Sequence, residues 1–284
     1  MERVLKFDAF VSDSRRYKHE ASSIVATEKM MMKTSSETLI EKKYLEKSLD
    51  KSGHVFNIKT LSETYGKDNA TQKISSDMNS IVSDIDVITD AKGKLRQIYN
   101  MPDVVKRWDV VKKKWKKEAT DKNREQVQKT IATVETNLKN GTFIDDITNQ
   151  GVLYFLLNGL YGNYDDKEEL QLKRNLNKFL VTQSLPLKIN YKVVDYNRFT
   201  KEMVIEGLGE VDEERLDKKT LTQLIRTLKD SINLKVDLQV AYKERFEFDQ
   251  YHWLVKGEQE VKVKIPGFYM VESKQSITQT ENDG

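Results

Sequence analysis

The 284-residue chain contains no cysteine. Disulfides, thiol catalysis and zinc–thiolate sites are therefore excluded together. The redox compartment stays open, because a cysteine-free chain suits reducing and oxidising surroundings alike. Histidine is scarce, at His19, His54 and His252 alone. None is spaced with another histidine or an acid as in a helical metal motif, so no metal and no cofactor is expected. Each histidine reads as an ordinary strand side chain. Long apolar runs are missing too. None approaches the roughly 20 residues of a membrane span, and Glu2, Arg3, Lys6 and Asp8 interrupt any signal-peptide core at the N-terminus. The reading is a soluble, cytoplasmic protein, a removed targeting segment aside. An excess of one charge is also lacking: 48 basic against 45 acidic residues give +3. That argues against a nucleic-acid partner and leaves only local electrostatics.

The usual catalytic signatures are likewise absent. There is no GxSxG and no P-loop. Gly207-Leu208-Gly209 follows a strand pattern but lacks the third glycine and the immediate helix of a dinucleotide site. Asp84 and Asp86 would share one strand face, close enough to hold a cation or raise one pKa. DIDVITDAKG nevertheless lacks calcium-loop spacing. Asp165 reads as a helix cap, and Asp212 to Glu214 as a solvated loop. No enzymatic activity is expected, and Asp84 and Asp86 are the best candidates should there be one.

What is present is a periodic pattern of apolar residues. They make up 38% of the chain, and their grouping supplies a core despite 33% charged residues. Leu5, Phe7 and Phe10 could dock an N-terminal arm. Strands are expected at 16–29 and 54–65, with 38–49 favoured as part of a hairpin over a helix. Ile74, Met78, Ile81 and Val82 mark a short amphipathic helix. Ile85, Val87 and Thr89 alternate into an Asp90–Gly93 turn, and Leu95 and Ile98 return. Asn100 or Met101 then caps a helix with Pro102 and Asp103 in its first turn. Val104, Trp108, Val111 and Trp115 form one stripe along it. A second helix runs from about 121 to 139 and ends at Asn140-Gly141. Residues 151–164 read as a buried helix broken by glycines, and 165–180 as another helix opened by a capping box. After Leu187, Ile189, Tyr191 and Val193 the chain becomes strand-rich. Leu221 to Leu228 fit a helix, and Leu234 to Tyr242 give the cleanest period-two run. Residues 268–273 form the last strand, and SITQTENDG reads as a frayed tail.

Shifting the sequence by 147 residues places Phe56 on Met203, Ile58 on Ile205, Leu61 on Leu208 and Ile74 on Leu221. An internal repeat would account for that. The expected fold is α+β: a mostly antiparallel curved sheet, a half-barrel or saddle, built from two similar strand–helix–strand lobes with a central helical insert. The lobes would span 1–100 and 184–284, with the insert at 101–183, in one compact domain.

Two functions compete. One is a non-enzymatic interaction protein, an adaptor or dedicated chaperone in a larger assembly, with a protein partner. Its candidate surface is the helix carrying Trp108, Lys112, Lys113, Trp115 and Lys116, and its exposed strands could add to a partner's sheet. The other is a carrier of an apolar small ligand in a helix-covered sheet cavity lined by Tyr191, Val193, Val236, Leu238 and Trp253. The tryptophan stripe has a plainer use as core, with lysine stems along its margins, and that is the expected one.

Overall fold

The computed structural model describes residues 3–10, 12–28, 30–66, 72–149, 151–165, 169–180, 183–217 and 238–281. Eleven strands are hydrogen-bonded neighbours in the order β6-β5-β4-β3-β2-β13-β12-β11-β10-β9-β8, and β1 pairs separately with β7. The strands are β1 (Arg3–Leu5), β2 (Ser14–Thr27), β3 (Met31–Lys47), β4 (His54–Tyr65), β5 (Asp84–Thr89), β6 (Leu95–Ile98), β7 (Gly162–Tyr164), β8 (Leu170–Leu180), β9 (Gln183–Tyr196), β10 (Met203–Val211), β11 (Gln239–Phe248), β12 (Leu254–Ile265) and β13 (Tyr269–Thr280). Among the described residues the helices are α1 (Gln72–Ile81), α2 (Met101–Glu118), α3 (Arg124–Asn140), α4 (Phe143–Thr148) and α5 (Gly151–Leu156). The α+β, antiparallel expectation holds. The chain forms two units. The first comprises Met1–Asp8, His19–Ser36 and Gly162–Thr278; the second comprises Ala9–Lys18, Glu37–Tyr161 and Gln279–Gly284.

In the second unit, alternation decides which side chains turn inward. Phe56 and Ile58 of β4 lie opposite Val87 and Ile85 of β5, and all four are buried. The four positions of the α2 stripe are buried as well, and the Trp108 and Trp115 rings meet edge to face at 5.8 Å. Burial of such a ring contributes roughly 2–3 kcal/mol. Asn100 holds the N-cap position, yet its side chain does not cap. Its Oδ1 instead accepts from the Asp86 backbone N–H at 2.9 Å, which ties the helix start to β5. Gly141 ends α3 in the left-handed region, φ +76°, as its sequence suggests.

In the first unit the strands carry a buried face. Leu185, Leu187, Ile189 and Tyr191 supply it from β9; Met203 and Ile205 from β10; Phe246 and Phe248 from β11; Val261, Val263 and Ile265 from β12. The N-terminal arm belongs here. Leu5 and Phe7 are buried, Phe7 lying 4.9 Å from Trp253, whereas Phe10, in the second unit, is exposed.

Several expectations are corrected. Residues 170–180 form strand β8 and not a helix, because Leu170, Leu172 and Leu176 alternate with exposed Gln171, Lys173 and Asn175. The helix at 151–164 stops at Leu156 and gives way to β7. The stretch 276–280, expected to be frayed, belongs to β13, which runs to Thr280, and Ile277 is fully buried. His252 sits in a turn at φ +61° and not on a strand. The helix expected at 221–228, and with it the second half of the repeat, lies outside the described residues.

Candidate functional site

The buried face of the first unit is apolar except along one line. Cross-strand register sets Tyr191 of β9 opposite Gly207 of β10, Gly207 opposite Glu244 of β11, Glu244 opposite Gln259 of β12, and Gln259 opposite Gln275 of β13. On one side of this rung Ile205, Phe246, Gly257 and Ile277 are in register; on the other, Gly209, Tyr242 and Val261. A polar rung thus lies between rungs that are largely apolar.

Its members bond to one another and to Tyr242 of the neighbouring rung. The Tyr191 hydroxyl donates to Glu244 Oε2 at 2.5 Å, and the Tyr242 hydroxyl donates to Oε1 at 2.6 Å. Gln259 Nε2 donates to the Tyr242 hydroxyl and to Glu244 Oε1, each at 2.9 Å. Gln275 Nε2 donates to Gln259 Oε1 at 3.1 Å, and His19 Nε2 meets Gln275 Oε1 at 3.2 Å. That oxygen only accepts, so His19 carries its proton on Nε2. Burial, the largest influence, pushes the His19 pKa down to about 4, against opposing contributions from the Gln275 hydrogen bond and Glu20. Every donor along the line therefore points toward Glu244, which is 1% exposed. Both of its carboxylate oxygens accept from neighbours, so the rung ends in a buried acceptor.

Two glycines make the rung possible. A β-carbon on Gly207 would stand 2.6 Å from the Tyr191 ring, and one on Gly209 would stand 2.7 Å from the Tyr242 ring. Each tyrosine lies flat across a glycine of β10. The Gly207-Leu208-Gly209 pair, unconvincing as a nucleotide motif, is a seat for two aromatic rings.

The second unit holds another buried titratable group. Lys42 of β3 is 4% exposed; its Nζ donates to the Leu156 carbonyl at 2.8 Å and stands 4.2 Å over the Phe56 ring. Burial pushes its pKa down to about 7. Leu156 is the last residue of α5, so the amine satisfies a helix-end carbonyl. Nearby, Asn57 Nδ2 donates to both Asp84 Oδ1 and Asp86 Oδ1, at 2.8 and 2.9 Å. The two aspartates thus share an amide donor. Among the described residues no group of three or more acids or histidines is arranged to hold a metal ion.

The residues singled out from sequence fall in different places. Trp108 and Trp115 are buried. Trp115 Nε1 donates to Asp77 Oδ2 at 2.7 Å, and Lys114 reaches Asp77 Oδ1 at 2.6 Å. Lys112 bridges Asp109 and Glu135. Arg107 donates to the carbonyls of Ile81 and Asp84. Lys113 and Lys116 are exposed. In the first unit Tyr191 and Trp253 are buried, Val193 and Leu238 are half-buried, and Val236 lies outside the described residues. Of these five, Tyr191 belongs to the rung. Glu244, Gln259, Gln275 and His19 were missed. The available signal was a polar residue at an inward position of an alternating strand, clearest at Glu244 between Tyr242 and Phe246.

Comparison with known proteins adds little. No protein-family model matches the chain. No curated protein matches it. Among solved structures, one described as "lipid-protein interactions in lipovitellin" is similar at 11% identity with a TM-score of 0.49. The similarity covers 96% of this chain, which spans about a quarter of the other. Among the described residues no helix is long and apolar enough to cross a membrane.

Proposed function

We propose that the chain is a non-catalytic carrier of an apolar molecule, held against the buried sheet face of the first unit. The observation that carries this reading is the polar rung within that face. An apolar side chain at Glu244 would satisfy a core without the cost of desolvating a carboxylate. Apolar walls with a few convergent polar groups are instead the usual composition of a ligand site. The chemistry also selects the ligand. Glu244 is an acceptor, so the bound molecule presents a hydroxyl or amine to the cluster. A fatty-acid carboxylate brings only acceptors to the cluster and is disfavoured.

Native mass spectrometry of freshly purified protein tests the reading, followed by titration with a fluorescent sterol and a fluorescent fatty acid. Co-purified mass, or saturable sterol binding weakened by Glu244→Gln, is expected. Uniformly unliganded protein that binds neither probe would overturn it.

An adaptor remains a second reading, supported by β8. This strand is 11 residues long and has one strand neighbour, β9, among the described residues. An edge of that length suits addition of a partner's strand. A partner captured by the intact protein and lost on Lys173→Pro is the result expected of it.

A further inference from the structure

The turn joining β9 to β10 departs from ordinary turn chemistry at two positions. Turn tips favour glycine, asparagine, aspartate, serine and proline. Here Arg198, Phe199, Thr200 and Lys201 follow Asn197. Phe199 is 96% exposed. Lys201 has φ +66°, a region in which glycine and asparagine are the usual occupants.

The turn is nonetheless held firmly. Asn197 Oδ1 accepts from the backbone N–H groups of Phe199 and Thr200 at 3.0 and 3.2 Å. The Asn197 N–H donates to the Glu202 carbonyl, and the Lys201 N–H to the Asn197 carbonyl. Thr200 donates to Glu202 at 2.9 Å, which occupies the nearest following acid. From Asn197 to Lys201 the turn carries two cations and no anion; Asp195 lies before it.

The neighbouring hairpin ends beside it. Met203 lies opposite both Tyr196 and Phe248, so the β11–β12 turn is at the same end of the strands. That turn is locked in the same manner, Asp249 Oδ1 accepting from the N–H groups of Tyr251 and Trp253. It presents Tyr251, 42% exposed. Two rigid turns thus offer an aromatic each, one of them flanked by cations. Local rules are broken where a function repays it.

We propose that this end of the first unit is a docking tip for an anionic lipid surface. Phe199 enters the headgroup level, Tyr251 lies at its margin, and Arg198 and Lys201 contact phosphate. Aromatic rings and basic residues at the water–lipid boundary are the chemistry of interfacial binding. The inference is independent of the ligand reading, since no residue of the rung takes part.

Flotation of the full chain with vesicles of phosphatidylcholine, alone or mixed with phosphatidylserine, tests it. The protein is expected to float with the mixed vesicles and to be released by salt. Phe199→Ser should weaken binding about tenfold or more, since burying a Phe side chain is worth at least a factor of that size. Its melting temperature should stay unchanged, because Phe199 has little to lose. Arg198→Gln with Lys201→Gly should abolish the phosphatidylserine dependence while keeping the fold. No association with either vesicle, or equal association of Phe199→Ser, would overturn the proposal. So would self-association lost on Phe199→Ser without vesicle binding, which would identify a contact between copies of this chain.

Discussion

Tyr191 reaches Glu244 by lying across Gly207, with 2.6 Å between its ring and the place where a β-carbon would stand. The tyrosine is fully buried and hydrogen-bonded at its far end, so the ring has nowhere to move. Gly207→Ala is expected to destabilise the protein by about 1–3 kcal/mol, the cost of overpacking. In a Tyr191→Ala background the same change should be nearly neutral. Urea denaturation of the four proteins gives the coupling directly.

Glu244 accepts from two tyrosines and a glutamine, so its removal breaks three hydrogen bonds at once. Glu244→Ala should cost roughly 3–5 kcal/mol, as for other broken buried charge clusters. Glu244→Gln keeps one acceptor oxygen and should cost much less. Equal losses for the two, measured by chemical denaturation, would mean that the carboxylate is not the hub of the rung.

Lys42 makes stability depend on pH in an uncommon direction. Its pKa is about 7 in the fold and 10.5 when exposed. Between those values the unfolded chain holds the extra proton, so stability rises with pH. The penalty is full below pH 7 and is relieved progressively above it. Melting temperature should therefore climb from pH 7 toward 10, and Lys42→Met should flatten that climb. Tyr269, pushed up to about 12 by burial, works the other way above its ordinary value of 10 and bounds the window.

His19 acts on the acid side. It stays neutral down to about pH 4 in the fold but titrates near 6.5 when unfolded. The unfolded state therefore gains protons first, and stability falls as pH drops from 6.5 to 4. The loss is on the order of 3 kcal/mol. His19→Gln can still donate to Gln275 and should remove this part of the acid slope, read from denaturation midpoints across that range.

Trp108 is a core residue, and its truncation should show it. Trp108→Ala is expected to cost about 3–5 kcal/mol. An exposed change on the same helix, Lys113→Ala, should stay within about half a kcal/mol. Thermal melts of the two variants test the contrast.

Much of this architecture could be read from side-chain periodicity. The 84–98 hairpin and helices α1 to α3 all announce themselves by spacing, turn glycine or cap. The misreadings share a cause. At 165–180 an apparent capping box outweighed the period-two leucines of β8. At 276–280 the polar residues on either side of buried Ile277 disguised a strand as a tail. The candidate site was hidden for the same reason: its members lie on β2, β9, β11, β12 and β13, and only pairing brings them together. Nothing local distinguishes Gln259 from a solvent-facing glutamine.

The first unit takes its residues from three separate stretches of chain. Lys6 bonds to His252 across 246 positions, and His19 to Gln275 across 256. During synthesis β2 can pair with β3 at once, but its other edge must wait for β13, made near the end. Contacts of such long separation slow folding and lengthen the time during which strand edges are open to other chains. Expression yield should accordingly respond to lower temperature and to chaperone supply more than equilibrium stability would suggest.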